Sequence, residues 1–148
     1  VRPALADNGW HNIDVTGTSM PLQISMTRAR DAKHVTQADY RGYVVLLYFG
    51  YTFCPDICPL TLTNLTQVLD RLGKQAAHVR ILFVTVDPNR DSLSVLKQYA
   101  AAFAPQIDAL RGTPDELAAL ARRYRIAYSV TPASASGWTV DVDPVSMM

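Results

Sequence analysis

The sequence predicts an α/β fold, one sheet with flanking helices, and three observations lead there. Two apolar runs, Tyr43 to Gly50 and Val79 to Val86, have the length and continuity of strands buried on both faces. Each is followed by a stretch whose apolar residues recur at helical spacing. Strand and helix therefore alternate, and strands joined through a helix pair in parallel. With 148 residues, 49% of them apolar, the chain is sized for a single domain, 1–148, with a substantial core.

The elements follow in order. His11 to Val15 and Leu22 to Thr27 are short β-prone runs separated by Thr16-Gly17-Thr18-Ser19, which predicts an N-terminal hairpin over 11–27. Arg28 to Arg41 is polar, without an apolar period, and reads as a loop that Gly42 ends. Tyr43 to Gly50 then suits a central strand. Leu62, Leu65, Val68, Leu69 and Leu72 fall on one helical face, with Gly73 where that helix stops. Val79 to Val86 is the second strand, closed by Asp87-Pro88-Asn89-Arg90-Asp91. Ser92 or Asp91 is placed to cap a helix whose apolar face is Val95, Leu96, Tyr99, Ala100 and Phe103, and Pro105 ends it. After a short Ile107-to-Leu110 segment, Thr113-Pro114-Asp115-Glu116 is a capping box with proline at the first helical position. Leu117, Leu120, Ala121 and Tyr124 form the stripe behind it. Ile126 to Val130 reads as a last strand, and 131–148 as irregular.

Composition excludes several classes of function. The net charge is +1 with no dense Lys/Arg run, so nucleic acid and anionic membrane surfaces are not expected partners. No apolar run approaches the roughly 20 residues that span a bilayer. Val1 to Trp10 lacks the charged-then-apolar layout of a signal peptide, and a start at Val1 is compatible with processing or with an upstream anchor.

The two cysteines of the chain, Cys54 and Cys58, stand three residues apart between the first strand and the helix. A helix start offers free backbone amides and a positive dipole end, which favour thiolate over thiol. Such a pair can close a disulfide or grip one soft ion such as Cu(I). The plain alternative is two buried structural cysteines; Pro55, Asp56 and Pro59 point instead to a constrained loop. Zinc would want four ligands, and no second Cys or Cys/His pair is present to complete a tetrahedron.

The run Phe49-Gly50-Tyr51-Thr52-Phe53-Cys54-Pro55-Asp56-Ile57-Cys58-Pro59, followed by Thr85-Val86-Asp87-Pro88-Asn89-Arg90-Asp91, resembles the Sco/SenC proteins from about Ile24 to Tyr128. The resemblance implies a thioredoxin-like fold, with a central mixed sheet, flanking helices and an N-terminal β-hairpin. It implies a copper-binding factor that assembles the copper centre of cytochrome c oxidase, with the copper-centre subunit as partner and an upstream copper chaperone as donor. It further implies a periplasmic or mitochondrial-intermembrane location, with membrane attachment through an N-terminal anchor absent from this chain. Carried over, Cys54 and Cys58 are both the metal ligands, for Cu(I) or Cu(II), and the redox pair. The Asp87-Pro88 turn would lie near them, at the carboxyl ends of neighbouring strands.

The chain departs from the family at its end. The family's histidine ligand follows a Val-Asp step, and here Val140-Asp141 and Val142-Asp143 lead to Val142 and Pro144. The final strand and helix are also not seen before Met148, so the C-terminus is expected to be truncated or altered. His11, His34 and His78 do not obviously substitute, their plain role being solvated side chains. Met147 and Met148 offer thioethers but sit at the tail. Tyr48, Phe49, Tyr51 and Phe53 are expected to pack core and shield the thiols, Asp56 to cap the loop, and Arg122, Arg123 and Arg125 with Tyr124 to form a solvated helix end.

Two functions compete for the pair. One is a metallochaperone holding copper on Cys54 and Cys58. The other is a thiol-disulfide oxidoreductase without a required metal, in which one cysteine attacks and the other resolves. A peroxidase is the weaker third, since no resolving-cysteine arrangement or peroxide-activating Thr and Arg can be placed. A structural disulfide is the non-catalytic option.

Overall fold

The structure, a computed structural model, describes residues 21–133 and 137–142 together with Gly17. Its main sheet is built from β1 (Ser25–Arg28), β2 (His34–Thr36), β3 (Val44–Gly50), β4 (Val79–Thr85) and β5 (Ile107–Arg111), in the spatial order β2-β1-β5-β4-β3. β3, β4 and β5 run parallel, and β3 is paired along its whole length, from Val44 opposite Val79 to Gly50 opposite Thr85. β1 is antiparallel to β5 and β2 is antiparallel to β1, so the sheet is mixed, as expected. The helices α1 (Ile57–Leu72), α2 (Leu93–Ala101) and α3 (Pro114–Arg123) alternate with the parallel strands.

Alternation along β4 divides the core into two. Ile81 and Phe83 point to one face, where they pack with Leu62 and Leu69 of α1 and Leu96 and Ala100 of α2. Leu82 and Val84 point to the other, where they meet Leu117 and Leu120 of α3 and Met26 of β1. The capping signals act as the sequence indicates. Thr113 and Glu116 form the capping box of α3, Ser92 rather than Asp91 caps α2 by accepting from Val95 N, and Gly73, at φ +55°, follows the last residue of α1.

Several expectations need correction. β3 is not central: among the described residues it is one of the two outer strands of the main sheet, and Val44 at its start is exposed. The doubly buried strand is β4. On α1, Leu62 and Leu69 lie two turns apart and face the sheet, but Val68 is 51% exposed and Leu72 also faces outward. At about 100° per residue, Val68 falls well off the line through Leu62 and Leu69.

The polar stretch 28–41 is also more than a loop. It holds β2 and a 3-10 turn, Gln37–Tyr40, started by a Thr36/Asp39 capping box. β1 overlaps the strand expected at Leu22 to Thr27 and runs one residue beyond it, to Arg28, but its hairpin partner is β2, while His11 to Val15 falls outside the described residues. The β1–β2 turn is anchored from below by Asp108 of β5, whose buried carboxylate meets Arg30 at 2.8 Å and accepts the Tyr40 hydroxyl at 3.2 Å. Finally, the last strand does not join a parallel array. β6 (Tyr128–Ala133) pairs antiparallel with β7 (Gly137–Val142) in a separate two-stranded sheet, so part of the segment expected to be irregular is strand. Alternation over Trp138-Thr139-Val140-Asp141-Val142 carried that signal.

Candidate functional site

The site is assembled where β3 and β4 end. Gly50 closes β3 and its carbonyl accepts Val86 N at 2.8 Å, which joins the exits of the two strands. The loop that follows is held by a carboxylate from the far side of β4. Asp91, fully buried, accepts Thr52 N at 3.1 Å and the Thr85 hydroxyl at 2.6 Å, and also accepts the Thr52 hydroxyl. Its own N–H donates to the Asp87 carbonyl at 2.9 Å. One side chain thus ties the cysteine loop to the Asp87-Pro88 turn, and the expected proximity of the two motifs is a set of named bonds.

That turn is itself pinned. Asp87 is buried, with Oδ2 paired to Arg90 Nε, and Arg111 donates to the Pro88 carbonyl at 2.8 Å. The Arg90 guanidinium lies 5.0 Å over the Phe53 ring, an arrangement of cation on aromatic face. Phe53 is 58% exposed, so it does not shield the thiols as expected; Ile57 and Leu60 are exposed beside it. Asp56 occupies the position that precedes α1, but its carboxylate makes no capping bond.

Cys54 closes the loop, its N–H donating to the Tyr51 carbonyl at 3.3 Å, and Cys58 lies in the first turn of α1. Both thiols are free. Cys54 is 9% exposed and Cys58 0%, and both belong to the core cluster of Leu62, Phe83 and Leu96. Gly50 leaves the space that Cys58 fills: a Cβ there would stand 3.1 Å from Cys58 Sγ and 2.8 Å from Phe83 Cε2.

The helix start was expected to favour thiolate, and for Cys58 burial overrides it. Removal from water pushes the Cys58 thiol up to about 11, the neighbouring Cys54 thiol adds to this, and the backbone at Tyr51 opposes it. Metal-free Cys58 is therefore a protonated thiol at neutral pH.

An aromatic row runs beside the pair: Tyr48, Phe83, Tyr99 and Phe103, with successive ring centroids 5.8, 5.4 and 5.3 Å apart. Burial raises both tyrosine hydroxyls well above their ordinary range, and the cysteines act on each in the same direction.

The two described histidines, His34 and His78, stay away from the thiols. His34 is on β2, with Nε2 3.0 Å from Ser25 Oγ, and His78 precedes β4 at the opposite end of the sheet; His11, Met147 and Met148 lie outside the described residues. Among the described residues no group of three or more His, Cys, Asp or Glu side chains is placed to hold a metal ion. The converging donors are two soft sulfurs, which fit Cu(I). Sequence reasoning singled out the sulfurs and the Asp-Pro turn. It missed the Asp91 hub, although that residue sits inside the quoted motif, and it missed Gly50, whose place at the end of an apolar strand signals a close approach.

The SCO1/SenC family model matches residues 26–145. The mitochondrial SCO2 homolog of Bos taurus is 44% identical over 98 residues, which cover 65% of this chain and 37% of that protein. The structure of Bradyrhizobium japonicum ScoI with copper bound aligns with TM-score 0.74 and 35% identity over 84% of this chain and 78% of that one. Yeast Sco1 with copper bound aligns with TM-score 0.74 and 34% identity, over 84% and 70%. The chain spans roughly a third to under a half of the length of the curated relatives it matches.

Proposed function

This chain belongs to the SCO1/SenC family, and on that premise we propose that it binds copper through Cys54 and Cys58 and serves assembly of the copper centre of cytochrome c oxidase. The observation that carries this reading is the convergence of two free sulfurs at a strand-to-helix turn, tied by Asp91 to the Asp87-Pro88 turn. Copper is the cargo: two thiolates supply soft, low-coordination ligation, and the enclosed position of Cys58 keeps water from competing. Cys58 is protonated before loading, so uptake releases its proton. The partner is the oxidase subunit that receives the metal, and an upstream copper chaperone is the donor. The compartment is the mitochondrial intermembrane space or the bacterial periplasm, with the domain tethered by an N-terminal anchor.

One observation favours a second role for the same thiols. Cys54 reaches solvent and Cys58 does not. That asymmetry suits exchange in which Cys54 attacks a target disulfide and Cys58 then displaces the target, leaving a Cys54–Cys58 disulfide and two target thiols. Reduction of a target's cysteines and their loading with copper then use one site.

The test is Cu(I) stoichiometry in Cys54→Ser, Cys58→Ser and the double variant, alongside disulfide reduction of an insulin-type substrate. The wild type is expected to hold one Cu(I) per chain and each single variant to lose it. Unchanged copper content in the double variant would overturn the reading, and negligible disulfide reduction by the wild type would remove the exchange role.

A further inference from the structure

Among the described residues eight large apolar side chains are exposed, and three of them, Phe53, Ile57 and Leu60, fall within the cysteine loop and the first turn of α1. Scattered apolar side chains are ordinary on a protein surface; a group of them at the mouth of a site is not. Ile57 and Leu60 stand one helical turn apart, where side chains neighbour each other on the helix surface, and the Leu60 N–H donates to the Asp56 carbonyl at 3.2 Å. Phe53 directly precedes Cys54, and the Arg90 guanidinium, itself paired with Asp87, lies 5.0 Å over its ring. The exposed ring is thus held by a group that the Asp87-Pro88 turn fixes. A side chain already fixed in place loses little freedom when something covers it.

Of the two sulfurs Cys54 reaches solvent and Cys58 does not, so anything that exchanges with the pair comes in at Cys54. We propose that Phe53, Ile57 and Leu60 are the docking surface for the protein that accepts the copper, which meets them with an apolar patch beside its own ligand sulfurs. The inference deepens the copper reading and rests on it for the cargo. Transfer between two pairs of sulfurs is a ligand exchange: bonds from Cu(I) to the acceptor sulfurs form as those to Cys54 and Cys58 break. The metal stays Cu(I), and the departing sulfurs take up the protons that the acceptor thiols give up. An acceptor sulfur must come within bonding distance of the metal at Cys54, so the acceptor necessarily covers the residues beside it. Three side chains fall far short of the roughly 800 Å² that each partner buries in a stable complex. That extent suits an acceptor that leaves after the exchange and does not suit a permanent pairing with a second copy of this chain.

The test uses Phe53→Ser, Leu60→Ser and the double variant, with the soluble copper-centre domain of a cytochrome c oxidase, metal-free and reduced, as acceptor. Both positions are exposed, so copper content and melting temperature are expected to stay at wild-type values. Passage of Cu(I) to the acceptor domain is expected to slow roughly fivefold in each single variant, the loss that truncating an interface anchor brings. Passage to bicinchoninate, a small chelator that needs no docking surface, should keep the wild-type rate. Amide spectra of the metal-free chain titrated with the same domain should shift around Phe53, Ile57 and Leu60. Wild-type transfer to the domain by both single variants, equal slowing toward domain and chelator, or amide shifts absent from these residues would overturn the inference. So would a concentration-dependent dimer of the chain alone that Leu60→Ser abolishes, since the patch would then belong to a second copy. A wild type that takes up no Cu(I) would overturn the copper reading instead, and the amide shifts, read without metal, would still decide the docking surface.

Discussion

Gly50 and Cys58 meet so closely that no side chain fits between them. A Cβ on Gly50 would stand 3.1 Å from Cys58 Sγ and 2.8 Å from the Phe83 ring, and Phe83 is fully buried and cannot retreat to solvent. The cost of a substitution here is one of space. Gly50→Ala is expected to lose about 1–3 kcal/mol in urea unfolding, as overpacking of a core does, and to weaken Cu(I) binding by displacing the Cys58 sulfur. A variant with the wild-type midpoint and copper affinity would contradict this.

Asp91 holds the cysteine loop and leaves the capping of α2 to Ser92. Asp91→Ala leaves the half-buried Thr52 N–H and the buried Thr85 hydroxyl without their acceptor. A loss of about 2–3 kcal/mol is expected, with faster amide exchange at Thr52. Ser92→Ala, which removes only the α2 cap, should cost about 1 kcal/mol and leave exchange at Thr52 unchanged. Equal effects of the two substitutions would rule out the hub.

Copper uptake should depend on pH through Cys58. Its thiol ionises at about 11, so each bound Cu(I) displaces that proton throughout the neutral range. Apparent affinity is expected to rise about tenfold per pH unit from this proton alone, flattening near pH 11. Chelator competition between pH 6 and 9 measures it, and a flat profile would show that Cys58 is already ionised.

The same group links stability to alkali. In the fold its pKa is raised above the ordinary thiol value of 9.0, so the native state keeps a proton that the unfolded state gives up. That contribution is complete below pH 9 and is lost as pH rises through about 11. Cys58→Ala should therefore flatten the decline in stability between pH 9 and 11 relative to the wild type, as read by denaturant midpoints.

Oxidation state should discriminate as well. Two sulfurs suffice for Cu(I), whereas Cu(II) prefers a tetragonal set that includes nitrogen, and no described histidine approaches the pair. The chain is expected to bind Cu(I) and to hold Cu(II) weakly. A stable thiolate-to-Cu(II) charge-transfer band of full intensity would refute this.

Local signals in the sequence carried the parts of the fold that local physics decides. The capping box at Thr113, the stop at Gly73 and the apolar run of β4 each state their own structure, and Cys54 and Cys58 announce the site by being the two cysteines present. What depends on neighbours was not legible. An apolar run cannot say whether its strand is central or outermost, which is why β3 was misplaced and β4 proved to be the doubly buried one. Polar residues from Arg28 to Asp39 hid β2 because its register is set by Met26 opposite Val35 and by the Asp108 anchor far along the chain. Likewise the helix-start effect on Cys58 could be read from position, but the burial that outweighs it could not.

With the sulfurs set within the packed cluster of Leu62, Phe83 and Leu96, any Cu(I) they bind would become part of the protein's own cohesion. A ligand that binds only the folded chain adds about 2.7 kcal/mol to stability at 100 times its dissociation constant. The loaded and empty forms should then separate on a simple heating curve. Release to an acceptor would in turn return the donor to its less stable form, so an emptied domain is expected to open more often than a loaded one and to be the form that proteases reach first.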